Sequence, residues 1–143
     1  MKELFSEEQQ KALVEAIAAA EANTSGEIML HIERACKGDP LARAWKIFAK
    51  LKMHKTKLRN GVLIYLATES HQFAVIGDEG IHKRVGNSFW ELNRDEALRA
   101  FREGLFTEGL ISVLNHIGEQ LHRYFPSEGD NPNELKNDIS FDK

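Results

Sequence analysis

Six consecutive apolar residues, Val62–Ala67 (VLIYLA), constrain the fold of this chain more than any other stretch. The run mixes β-branched and aromatic side chains and is too short for an ordinary helix, so it reads as a strand buried on both faces. Asn60-Gly61 is the turn that feeds it. Thr68–Gln72 is polar and has the length of a hairpin connection, and Phe73–Ile76 then makes a second strand running back antiparallel to the first. That return has a geometric consequence. The segment leaving the second strand, Gly77-Asp78-Glu79-Gly80, must lie beside the segment entering the first, Arg59-Asn60-Gly61.

Upstream, Ser6-Glu7-Glu8-Gln9 has the form of a capping box, in which the Ser6 hydroxyl accepts from the Gln9 amide and the Gln9 side chain accepts from the Ser6 amide. The helix it starts carries Leu13, Ala16, Ile17 and Ala20 on one apolar stripe. Asn23-Thr24-Ser25-Gly26 breaks that helix, and from Glu27 the period changes to two. Ile28, Leu30 and Ile32 share one face, with Met29, His31 and Glu33 on the other, as expected of a strand covered better on one side. Asp39-Pro40 starts a helix with an acid at the N-cap and a proline where no N–H is needed. It carries Leu41, Ala44, Trp45, Phe48 and Leu51 at three- and four-residue intervals. Strand, helix, strand is a crossover unit, so the strand from Glu27 should run parallel to Val62–Ala67. The start of that strand then falls at the same sheet end as Asn60 and Asp78.

Past Gly80 the pattern suggests a short helical turn over Ile81–Gly86, a second capping signal at Asn93-Arg94-Asp95-Glu96, and a last helix capped by Thr107 and stopped by Pro126. The fold class expected is α/β: a three-layer α/β/α sandwich whose small mixed sheet, a crossover unit plus a hairpin, is flanked by helices. Residues 1–126 form one domain, and 127–143 an acidic tail, mobile or loosely docked.

Charge and composition exclude several roles. A net charge of −3 with no arginine-rich or aromatic-plus-basic stripe argues against nucleic acid. No apolar run is long enough to span a bilayer, and Met1–Phe5 leads into a polar helix start, so no membrane insertion and a cytoplasmic location are expected. The single cysteine, Cys36, has no activating pattern around it and reads as a small half-buried side chain. The six histidines lack H-E-x-x-H or cysteine partners with zinc spacing and are expected mostly at the surface. His82 alone follows the acidic loop closely enough to assist chemistry there. Asp130–Glu134 fails the EF-hand pattern, with Phe141 where the bidentate acid belongs.

The topology therefore collects Glu27, Asn60, Asp78 and Glu79 at one sheet edge, with Arg59 beside them. Carboxylate and amide oxygens around a glycine-bearing loop suit a hard cation, Ca²⁺ or Mg²⁺. The same residues also admit a purely structural use: Asp78 capping the following helical turn, Glu79 at its positive end, and Glu27 paired with Arg59.

The ordered combination of Thr24-Ser25-Gly26-Glu27-Ile28, Lys55-Thr56, Arg59–Tyr65, Ile76–Ile81, Phe89-Trp90, Phe125-Pro126 and Asn133-Glu134-Leu135 resembles the TPM domain family. That family takes its name from a thylakoid-lumen protein, a photosystem II repair protein and a nematode modulator of acetylcholine receptors. The resemblance covers nearly the whole chain and is strongest to the short, stand-alone bacterial form. It implies an α/β/α sandwich and an acidic patch for a divalent cation, mapped here onto Asp78 and Glu79 with Glu27. For the plant lumenal member it also implies acid phosphatase activity. Two functions follow as expectations. The first is a Ca²⁺- or Mg²⁺-binding module that docks on a protein partner, with Asp78, Glu79, Glu27 and Asn60 as ligands. The alternative is a metal-assisted phosphatase at the same site, with Asp78 and Arg59 as the catalytic candidates.

Overall fold

The computed structural model describes residues 5–127 and 139–141. Within them the elements run α1 (Glu7–Glu21), β1 (Glu27–Glu33), α2 (Pro40–Lys50), a 3-10 turn (Met53–Lys55), β2 (Gly61–Ala67), β3 (Gln72–Gly77), α3 (Glu79–Arg102), α4 (Phe106–Tyr124) and β4 (Ile139–Phe141). The strands form one sheet in the order β3-β2-β1-β4, with β1 parallel to both β2 and β4, and β3 antiparallel to β2. The crossover and the hairpin expected from the sequence are both present.

Alternation along the strands divides the core in two. Ile28, Leu30 and Ile32 of β1, with Val62, Ile64 and Leu66 of β2, pack against Leu13 and Ile17 of α1, Ala97 of α3, and Leu110, Leu114 and Ile117 of α4. Met29, Leu63, Tyr65, Ala74 and Ile76 face the other way, onto Ala44, Ile47 and Phe48 of α2. Helices on both faces of the sheet make three layers. β1 is therefore buried along its whole length and on both faces, where its alternation had suggested one better-covered side. The polar members of its second face, His31 and Glu33, are buried, with His31 Nε2 3.5 Å from a Glu33 oxygen.

The helix starts follow local chemistry. Ser6 and Gln9 form the reciprocal capping box at 3.1 and 2.9 Å. Asp39 accepts from the Leu41 amide at 3.3 Å, with Pro40 opening α2. Of the apolar α2 residues at helical spacing, Ala44 and Phe48 are buried while Leu41 and Trp45 are each 45% exposed.

The largest departure concerns α3. A short helix does end at Gly86, as the sequence suggested, but the second helix begins directly after that kink and not at Asn93. Residues 79–102 make one helical element, broken only at Gly86 (φ 78°, ψ 171°). Asn93 does not cap. Its side-chain amide donates back to the Phe89 carbonyl at 2.9 Å, the bond a mid-helix asparagine makes when its turn is already helical. Thr107 likewise sits buried in the first turn of α4, after Leu105. Within the segment read as a tail, Ile139–Phe141 forms β4 on the outer edge of β1, while Asp130–Glu134 lies outside the described residues.

Candidate functional site

The N-terminal end of β1 and β2 gathers the acids that the topology argument selects. Glu27 is in register with Gly61, and the Asp78 amide donates to the Gly61 carbonyl at 2.9 Å, so Glu27, Gly61 and Asp78 form one row across three strands. Gly80 closes the corner: its amide donates to the Arg59 carbonyl at 2.7 Å. A β-carbon there would meet the Leu58 and Arg59 carbonyl oxygens at 2.1 and 2.5 Å. Glycine is required because backbone approaches backbone, not for flexibility.

Asp78 is heavily committed. It caps α3 by accepting from the Glu79 amide at 2.8 Å, and it takes a two-pronged contact from Arg59, Nε to Oδ2 at 2.7 Å and Nη2 to Oδ1 at 2.9 Å. Glu79 lies 3.5 Å from the same guanidinium. Arg59 thus already bridges the two carboxylates, and hydrogen bonding to Asp78 reinforces its charge. The partner weighed for Glu27 in the structural reading is occupied here by Asp78.

Glu27 is instead wholly buried beside an acid that sequence reasoning left out, Glu21 at the end of α1. Glu21 accepts from the Ile28 amide through Oε2 at 2.6 Å. Burial pushes its carboxyl up to about 8; the Ile28 bond opposes this, and the nearby Glu27 carboxyl adds to it. Glu21 is therefore protonated near neutral pH. Asn60, 1% exposed, donates to Ser25 Oγ at 3.1 Å. Its Oδ1, and Oε1 of Glu21, are buried without a hydrogen-bond donor. Thr24 pins the surrounding turn: its hydroxyl donates toward the Leu121 carbonyl at 3.0 Å and accepts from the Gly26 amide at 3.1 Å. The only sequence signal for Glu21 was its position just before the break at Asn23.

The corner is therefore rich in oxygen acceptors and poor in donors. Hard divalent cations favour such ligands. Among the described residues no group of three or more histidine, cysteine, aspartate or glutamate side chains is arranged to hold a metal.

At the opposite end of β1, Glu33 accepts from Arg43 Nε and Nη2 at 2.9 and 2.8 Å and from the Tyr65 hydroxyl, with His31 Nε2 3.5 Å away. His31 Nδ1 meets Ser140 Oγ at 2.9 Å. Burial, then the Glu33 bond, pushes the Tyr65 hydroxyl upward. His31 is thus a buried residue of a closed network. Cys36 is buried too, its amide bound to Ser70 Oγ at 2.9 Å. His82 accepts from the Trp90 indole N–H at 3.0 Å, which ties it to α3 and not to the acids. No helix among the described residues is long and apolar enough to cross a membrane.

Against known proteins, the sequence model of the TPM domain matches residues 1–120. No curated protein matches the chain. Among solved structures it is similar to the BA42 protein of the psychrophilic bacterium Bizionia argentinensis, at 43% identity and a TM-score of 0.87 over 96% of this chain and 95% of that one. The N-terminal domain of a P. gingivalis protein aligns at 17% identity and TM-score 0.73, over 90% of this chain and 83% of that one. The N-terminal domain of the cg2496 protein of Corynebacterium glutamicum aligns at 14% and 0.64, over 92% and 80%. The last two show the fold alone.

Proposed function

The chain belongs to the TPM domain family, and from that premise we propose that it is a divalent-cation-binding module acting through a protein partner. The ion is Ca²⁺ or Mg²⁺, and its ligands are the Glu21 and Glu27 carboxylates and Asn60 Oδ1. One observation carries the reading: Glu21 and Glu27 are buried as neighbours, and Glu21 Oε1 and Asn60 Oδ1 are buried without a hydrogen-bond partner. A proton balances one of the two charges, and a divalent ion would balance both and satisfy the idle oxygens. Asp78 and Glu79 join the coordination only where Arg59 withdraws, since its guanidinium holds the position between them.

The phosphatase alternative ranks second on the same geometry. A phosphomonoester needs positive charge free to meet the transferring group, and Arg59 is engaged by Asp78 through both prongs.

The test is a Ca²⁺ and Mg²⁺ titration of chelator-treated protein followed by amide NMR, on the wild type and on Glu27→Gln. Saturable shifts at Glu21, Gly26–Ile28 and Asn60, absent in the variant, are expected. Because Glu21 keeps its proton up to about pH 8, the ion must displace it. Apparent affinity should rise as pH climbs toward 8, by up to about tenfold per unit, and level off above. Flat spectra at millimolar ion would sink the reading. Turnover of a phosphomonoester that tracks added metal and disappears in Glu27→Gln and Arg59→Ala would replace it with the hydrolase.

A further inference from the structure

Between α2 and α3, along β3, lies a groove of about 560 Å³, within the size range of small-molecule sites. Its floor is closed and apolar, since the β3 side chains from Phe73 to Ile76 are at most 4% exposed. Both tryptophans of the chain line it, Trp45 from α2 and Trp90 from α3. Trp45 packs edge-on against Phe48, with centroids 5.1 Å apart, yet is 45% exposed, as is Leu41 one turn earlier. Trp90 is fixed from two directions. Its six-membered ring lies directly on Gly77, where a β-carbon would collide with Cζ2 and Cη2, and its indole N–H donates to His82 Nδ1 at 3.0 Å.

That bond also sets the imidazole. An indole N–H can only donate, so Nδ1 carries the lone pair and the ring proton sits on Nε2. His82 lines the groove, and among the described residues nothing accepts from its Nε2. The charged groups along the groove are mostly engaged elsewhere. Asp78 and Glu79 are on Arg59, Arg94 is on Asp95 at 3.0 Å, and Asp39 accepts from the Leu41 amide at 3.3 Å. Of them only Glu91, exposed to water, has no such partner among the described residues. What the groove offers a ligand is aromatic surface and one neutral donor of fixed position.

We propose that this groove binds a small, uncharged, fused-ring heteroaromatic molecule, packed on the two indoles, with a ring nitrogen or carbonyl oxygen accepting from His82 Nε2–H. An anion would meet the carboxylates of Asp39, Glu79 and Glu91 along the same groove. A cation would gain one carboxylate in open water, where such a pair is worth little, and would face a donor where it needs an acceptor. The inference is separate from the cation reading, because Glu21, Glu27 and Asn60 are not among the residues that line the groove.

The experiment uses the full chain in chelator, so a failed cation reading leaves it intact. The probes are quinoline, uncharged at neutral pH; N-methylquinolinium, in which the acceptor is capped and charged; and 1-decalone, which keeps an acceptor but has no aromatic face. NMR follows the amides and the two indole N–H signals, both of which report on the groove. Quinoline should shift both indole signals and the Gly77 amide saturably, and the other two probes should bind about fivefold or more weakly. His82→Phe removes the donor, and Trp45→Ala, at an exposed position, removes one aromatic wall. Each should weaken quinoline about fivefold or more. The comparison of probes on the unaltered chain decides the matter even where His82→Phe fails to fold. The proposal is overturned by no saturable response at the indoles and Gly77 up to about 5 mM quinoline. It is equally overturned by quinolinium or decalone binding as tightly as quinoline, or by quinoline binding that a folded His82→Phe or Trp45→Ala leaves unchanged.

Discussion

Glu21 shows how much of this site lay beyond sequence reasoning. It ends an amphipathic helix among exposed glutamates, and nothing in its spacing separates it from Glu7, Glu8 or Glu15. It differs only because the chain turns at Asn23 and sends β1 back past the helix end, which brings the Ile28 amide within 2.6 Å and Glu27 alongside. The consequence for stability has a definite sign. Glu21 holds its proton up to about pH 8 in the folded protein, whereas the unfolded chain releases it near its ordinary value of 4.5. Between those values the folded state binds more protons. This residue's contribution is therefore complete below pH 4.5 and is lost as pH rises toward 8, at a slope of at most about 1.4 kcal/mol per unit. Glu21→Gln, neutral throughout, should flatten that slope and raise stability at pH 8 in the absence of metal. Denaturant unfolding at several pH values checks it, and a variant that keeps the wild-type slope would place that proton elsewhere. By contrast Asp78, Glu79, Glu27 and Asn60 were all legible as neighbours, because two strand pairings and one crossover suffice to align their backbones. What alignment left open was partner choice: Arg59 goes to Asp78, and Glu27 to the acid no motif marks.

At the scale of elements, α1 and α2 were readable where capping side chains lie next to the helix in sequence, as at Ser6 and Asp39. The second half of α3 was misread where the same residue types were used otherwise. Asn93 looks like a cap, but its surroundings were already helical and its amide turned back to Phe89. The interruption is at Gly86, where the sequence reading ended its first helical turn, and its φ of 78° and ψ of 171° suit almost no residue but glycine. Gly80 is constrained differently, by carbonyl oxygens 2.1 and 2.5 Å from where its β-carbon would sit. Two substitutions separate the causes. Gly86→Ala meets no neighbouring atom within 4 Å, so it should cost only backbone strain, about 1–3 kcal/mol, and leave the acidic corner unchanged. Gly80→Ala must push α3 off the Arg59 turn. It should cost at least as much and also shift the amides of Arg59 and Asp78. Equal costs with equal spectra would mean that the corner is not packed as tightly as these distances state.

For the molecule as a whole, the apolar run of β2 was enough to organise a three-layer sandwich, because a strand buried on both faces demands helices on each side. The fourth strand carried no such signal. Ile139–Phe141 is three residues long, follows a polar acidic stretch, and becomes a strand only because β1 presents an open parallel edge to it. It lies beyond residue 120, where the family match ends, yet Ile139 is 7% exposed and belongs to the main core. A chain ending at Pro126 should therefore fold, since β1 to β3 and all four helices remain. It should lose the burial of Ile139, worth roughly 1.5–3 kcal/mol, together with the pairing to Leu30 and Ile32 and the Ser140 contact to His31. Its uncovered β1 edge would then expose Leu30–Ile32 to strand pairing with other chains. Denaturant unfolding should show the deficit, and size-exclusion chromatography should show concentration-dependent association that the full chain lacks. A truncated chain as stable and as monomeric as the full one would mean that β4 adds no closure to the sheet, and that β1 is protected by the helices above and below it alone.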